Sequence, residues 1–143
     1  MATDSQAQPP APTPDTSPAR IHLLGGLPPF NDACDFTLLI CVEAPPFLTL
    51  QCVDKKLAWT LVNPFLIVEN YAPHFSEADW QAVGLAPQDK PLVLAIVNLR
   101  EGVQRATINL IGPLLINPAT GRGKQVVIEN ASAYSPRHRL LQD

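Results

Sequence analysis

Catalysis in this chain would have to be assembled from a sparse set of side chains: His22, His74 and His138, Cys34, Cys41 and Cys52, and Ser76, Ser132 and Ser135. Acyl transfer needs a nucleophile, a base within hydrogen-bond reach and a third group that orients the base. None of these serines stands in a G-x-S-x-G elbow, and no histidine has a carboxylate at a spacing that suggests a dyad. Zinc needs ligands in short-spaced sets, whereas these Cys and His residues are scattered singly. The stretch "GRGK" at 121–124 invites a phosphate reading, because backbone amides of a Gly-rich turn can cradle an anion. The positions where a phosphate loop needs its first Gly and its Ser or Thr are held by Pro118 and Gln125, so the stretch reads as a β-turn between two strands. The residues point to a protein that is not an enzyme and needs no cofactor or metal.

Composition narrows the alternatives. With 143 residues and 46% hydrophobic content, the chain can bury one core, which fits one domain. The net charge of −3 divides into −6 over residues 1–99 and +3 over residues 100–143. Three excess positive charges favour an acidic partner surface but fall short of the stripe that neutralises nucleic-acid phosphates. Direct nucleic-acid binding is therefore not expected. The odd number of cysteines and their apolar surroundings predict small buried hydrophobes in a reducing compartment. No basic and apolar leader and no run of about 18 apolar residues is present, which predicts a cytoplasmic protein without a membrane span.

These side chains must be carried by short elements. Residues 1–18, "MATDSQAQPPAPTPDTSP", hold five of the sixteen prolines and almost no large apolar side chain, which predicts a disordered tail. Its proline density biases it toward polyproline II, either as inert spacer, the reading taken here, or as ligand for a proline-binding groove. From residue 21 onward, strand-length apolar runs follow one another: "FTLLICV" (36–42), "FLTLQCV" (47–53), "LAWTLV" (57–62), "FLIV" (65–68), "PLVLAIVNL" (91–99), "ATINLIGPLLIN" (106–117) and "KQVVIE" (124–129). Turn residues separate them, which predicts an all-β protein, a small antiparallel β-barrel-like domain over residues 19–143. One short helix is predicted over 76–85, capped by Ser76, with Glu77 and Asp79 in the first turn and a stop at Gly84. Trp80 and Val83 would share its packed face.

"LVNPFLIVENY" (61–71) interrupts an apolar run with Asn63-Pro64. A proline there has no amide for a neighbouring strand, and Asn63 is pushed out of the α region, so the corner is stiff. It is either a plain strand-to-strand corner, with Phe65 in the core, or a contact loop. The C-terminal "YSPRHRL" (134–140) has the same two readings: Tyr134 caps the barrel while Arg137, His138 and Arg139 offer donors to a partner, or the stretch is a solvated tail.

Taken in order, "GLPPF" (26–30), "APPFLTLQCV" (44–53), "LVNPFLIVENY" (61–71), "VLAIVNL" (93–99), "ATINLIGPLLINPATGRGKQVVI" (106–128) and "YSPRHRL" (134–140) resemble the flagellar assembly factor FliW family over roughly residues 21–141. The resemblance implies a small cytoplasmic β-barrel that binds two partners in turn, flagellin and the translational repressor CsrA, and relieves CsrA repression of flagellin translation. The alternative is a flagellin chaperone or general protein-binding module without CsrA regulation. Together with the residue reading, it marks Asn63, Pro64, Phe65, Tyr71, Arg122, Lys124, Tyr134, Arg137 and His138 as candidate partner-binding residues. Two departures carry expectations. The family's "GLPGFE" stands here as "GLPPFN", a stiffer and less charged loop. The family's first β-rich segment is replaced by the proline-rich tail, which leaves a sheet edge near residues 19–26 to stay hydrated, to be covered by residues 19–25 folding back or, the expectation taken here, to remain open for weak homodimerisation.

Overall fold

The computed structural model describes residues 19–32, 35–40 and 46–141. The tail at 1–18, Cys34 and Cys41 lie outside them, and so do the expectations made for them. Among these residues nine strands form: β1 (Ala19–Leu23), β2 (Asp35–Ile40), β3 (Leu48–Cys52), β4 (Ala58–Val62), β5 (Leu92–Asn98), β6 (Thr107–Ile108), β7 (Leu114–Ile116), β8 (Arg122–Gln125) and β9 (His138–Arg139). The single α-helix among the described residues, α1, runs Glu77–Ala82 between β4 and β5.

Seven of the strands close on themselves in the order β4-β3-β2-β1-β8-β7-β5, with β5 returning to β4. The pairings are antiparallel except at β1–β8, where His22 lies beside Arg122 and Leu23 beside Gly123. The predicted open edge is therefore absent. β1 pairs with β2 on one side and β8 on the other, and the His22 and Leu24 amides donate to the carbonyls of Gly121 and Gly123, both at 2.8 Å. A homodimer through that edge loses its basis, because the backbone groups it would have used are already bonded. β6 and β9 extend from the far part of β5 as a short flap.

Strand parity distributes the core over three apolar clusters. Leu23, Phe36, Leu50, Leu61, Leu94 and Leu114 fill one of them, with Cys52 buried among them. Their strand neighbours face the other way: Val62, Ala95, Val97 and Ile108 meet Tyr71, Ile128 and Leu140 in a second cluster. Val93, Leu115 and Val126 meet Val83 and Leu85 beside α1 in a third. Because β5 is covered on both faces, "PLVLAIVNL" is almost continuously apolar where a one-sided strand would alternate.

Three local expectations change. "FLIV" forms no strand: Pro64–Leu66 is one turn of 3₁₀-helix. "ATINLIGPLLIN" runs beside β5 but breaks into β6 and β7, because the Asn109 side-chain oxygen accepts from the Ile111 and Gly112 amides at 3.1 and 3.0 Å and turns the chain out of the ladder. "GRGK" is not the turn. The turn is at 117–121, held by the Thr120 and Gly121 amides on the Asn117 carbonyl, and Arg122 already begins β8. The glycines serve the seam: a Cβ at Gly123 would press on Leu23 and Ile116, and one at Gly121 would run into the Arg20 carbonyl. The helix forms as expected, with the Ser76 hydroxyl accepting from the Asp79 amide at 3.0 Å.

Candidate partner-binding site

The corner after β4 is built from the bottom by one side chain. Asn63 is extended (φ −75°, ψ 110°), as a residue before proline must be, and its side-chain oxygen accepts from the Phe65 amide at 2.9 Å. The Leu66 amide returns to the Asn63 carbonyl and the Ile67 amide to the Pro64 carbonyl, both at 3.1 Å. Pro64 is buried and supplies a fixed φ at the first turn, where its missing amide leaves nothing unsatisfied. The result is a rigid turn that carries its next two side chains outward. Phe65 is 46% exposed and Leu66 66% exposed. Phe65 is thus not a core residue, although its ring lies 5.4 Å from that of Tyr71. Leu66 was missed in the sequence because a strand reading of "FLIV" sends neighbours to opposite faces, whereas a 3₁₀ turn exposes both.

Behind the corner, two tyrosines from distant parts of the chain lock the strap that follows it. Tyr71 is buried, its hydroxyl donates to the Leu110 carbonyl at 2.6 Å, and its ring meets Tyr134 edge-on at 4.9 Å. The Tyr134 hydroxyl accepts from the Ala72 amide at 2.8 Å and donates to the Asn70 carbonyl at 3.3 Å. Asn130 adds two bonds to the same strap, accepting from the His74 amide at 2.8 Å and donating to the Ala72 carbonyl at 2.9 Å. The structure therefore gathers five of the nine sequence candidates at one place: Asn63 and the exposed Phe65 on the buried Pro64, with Tyr71 and Tyr134 as their support.

Burial, with a smaller contribution from neighbouring Tyr134, pushes the Tyr71 phenol up to about 12. An unfolded tyrosine ionises near 10, so above that pH the unfolded chain loses its proton first. Stability from this group is complete below pH ~10 and falls as pH rises through 12. Tyr71→Phe should flatten that alkaline loss and, by orphaning the Leu110 carbonyl, lower stability at neutral pH by about 1–2 kcal/mol. Denaturant melts of both proteins from neutral pH to pH ~11 check the two effects.

The other four candidates stand apart. Lys124 on β8 is paired with Asp79 of α1 at 2.7 Å and fastens the helix to the barrel. Arg122, two residues earlier, is exposed and lines an open cleft of about 400 Å³ with His22, Gly84, Asn117 and Thr120. Arg137 is exposed, and His138 belongs to β9, paired with Ile108. Among the described residues, no three His, Cys, Asp or Glu side chains gather as metal ligands would, and no helix is long and apolar enough to cross a membrane.

Barrel and corner together define a class: a small closed β-barrel that carries a stiff apolar corner on its surface. Comparison with known proteins agrees. A family model described as FliW protein matches residues 11–140. The flagellar assembly factor FliW of Moorella thermoacetica is 33% identical over 125 residues, covering 86% of this chain and 78% of that protein. The one from Bacillus subtilis is 30% identical over 116 residues, covering 80% of each. A crystal structure of the flagellar assembly factor FliW superposes with a TM-score of 0.77 at 26% identity, covering 87% of this chain and 86% of that one. The chain belongs to the flagellar assembly factor FliW family. That is a family of assembly factors and not a known family of enzymes.

Proposed function

We propose that this protein serves flagellar assembly by binding flagellin and CsrA in turn: held by flagellin while the subunit accumulates, it is freed on secretion to bind CsrA and lift repression of flagellin translation. It acts in the cytoplasm, as a protein-binding β-barrel over residues 19–143, and needs neither cofactor nor metal. The observation that carries the reading is the Asn63–Leu66 corner, which holds an aromatic and an aliphatic side chain in water on a turn braced by Asn63 and Tyr71. Preorganised apolar anchors of this kind lose little entropy on docking, which is what a partner-binding surface requires. Arg122, Lys124, Arg137 and His138, which stand apart from the corner, are proposed as further polar partner contacts on a separate part of the surface.

Titration calorimetry of the full chain with a flagellin C-terminal segment, and separately with CsrA, tests the proposal. Saturable binding to both, with each displacing the other, is the expected result. Binding to flagellin alone would reduce the function to chaperoning, and silence with both at moderate salt would overturn it.

A further inference from the structure

A second surface feature lies beside α1 and has no place in that function. Phe75, Trp80, Leu85 and Pro87 line a cleft of about 270 Å³. The Phe75 and Trp80 rings are 6.2 Å apart and inclined at 41°, so they form an open wedge. The indole is fixed, because its N–H donates to the Ala86 carbonyl at 2.7 Å. Leu85 is buried at the floor. Donors stand at the rim: the Ser76 hydroxyl accepts from the Asp79 amide, leaving its own hydrogen to give, and the exposed Gln81 carboxamide directs one hydrogen toward Glu77 at 3.4 Å with a second to spare.

An aromatic wedge with donors at its edge is complementary to polyproline II. That helix makes no internal hydrogen bonds, its proline rings fit between aromatic faces, and its carbonyls need donors. The same chain carries such a sequence, "SQAQPPAPTP" at 5–14, with no charged residue to desolvate. Pro9 and Pro12 are three apart and share one face of a helix with three residues per turn. The strand to which the segment is joined runs beside the helix. α1 is tied to β8 through Lys124 and Asp79, and His22 of β1 lines one cleft together with Val83 and Gly84 just beyond α1, so β1 and the helix lie side by side. Residues 8–14 precede Ala19 by 5 to 11 positions, a span of about 15–35 Å at roughly 3.1 Å per residue.

We propose that residues 8–14 of this chain dock as polyproline II into the Phe75–Trp80–Leu85–Pro87 cleft of the same molecule. This replaces the inert-spacer reading for the middle of the N-terminal segment, and it stands independently of partner switching. The segment then shields the apolar wedge of its own barrel.

The test compares ¹⁵N-labelled full-length protein with a full-length variant carrying Pro9→Ser, Pro10→Ser, Pro12→Ser and Pro14→Ser. The substitutions precede β1, the first described strand, and Trp59, packed on Phe30 and Phe36, provides an internal reference. The expected result is a displaced Trp80 indole N–H signal with Trp59 unmoved. A free peptide copying residues 5–14 should then draw the variant's Trp80 signal back toward the wild-type position in a saturable titration. Coincident Trp80 signals in the two proteins would overturn the proposal. So would a wild-type Trp80 position that moves on dilution, which would assign the cleft to a second copy of the chain, or a peptide that leaves the variant's signal in place.

Discussion

On the proposed function, Phe65→Ala is expected to weaken partner binding by about 30-fold while moving the melting midpoint little. The two halves of that expectation have separate physical origins. An aromatic side chain that becomes buried at the centre of an interface commonly contributes about 2 kcal/mol or more, which converts to the 30-fold change. In the free protein the same ring is half in water and pairs with Tyr71 at 5.4 Å, so its removal costs about 1 kcal/mol. The fully buried Phe36 sets the contrast: Phe36→Ala removes a core ring, a change worth about 3–5 kcal/mol. Calorimetry with each partner, beside a thermal melt of the same variant, reads both quantities. Unchanged affinity for flagellin and for CsrA would take the corner out of the binding surface, and a large loss of stability would show the ring to be structural.

The second large effect lies at the seam that closes the barrel. Gly121→Ala combines two penalties: the residue sits at φ +80°, and a Cβ there would run into the Arg20 carbonyl oxygen of β1. Left-handed strain alone costs about 1–3 kcal/mol in a residue with a side chain. Backbone cannot give way as the end of a flexible side chain can, so the clash must push β1 off β8, and a total of about 3 kcal/mol or more is expected. Gly102→Ala separates the two terms, because Gly102 has φ +89° but open space around its Cβ position, and it should show the strain alone. Denaturant melts of both variants give the difference. Hydrogen exchange at His22 and Leu24, whose amides bond to the carbonyls of Gly121 and Gly123, locates it. Equal losses in the two variants, with unchanged protection at His22 and Leu24, would show that β1 tolerates the side chain and that the seam is not tight.

What the sequence determined by itself is the local grammar. Ser76, Glu77 and Asp79 placed a helix start because capping and dipole effects act within one turn, and the structure has it there. The short apolar runs and the turn residues between them implied antiparallel strands, since alternation and turn chemistry are properties of neighbours in the chain. Asn63-Pro64 implied a stiff corner for the same reason, and the motif series carried the family.

Only the tertiary structure decided questions that depend on which distant segments meet. Closure of the barrel rests on a two-residue parallel contact between β1 and β8, too short to leave a pattern in either strand. The glycines at 121 and 123 read along the chain as a turn, whereas a neighbouring backbone and two core side chains account for them. Tyr71 and Tyr134 read as candidate contacts, yet their hydroxyls bond inside the protein, across separations of 39 and more residues. Phe65 and Leu66 reached the surface because Asn63 winds the chain into a 3₁₀ turn, where a strand would have hidden every second residue. For the seam, the glycines and the tyrosines the outcome was set by contacts between residues far apart in sequence, of which side-chain type and spacing hold no record, whereas at the corner it was set by the Asn63 cap two residues away.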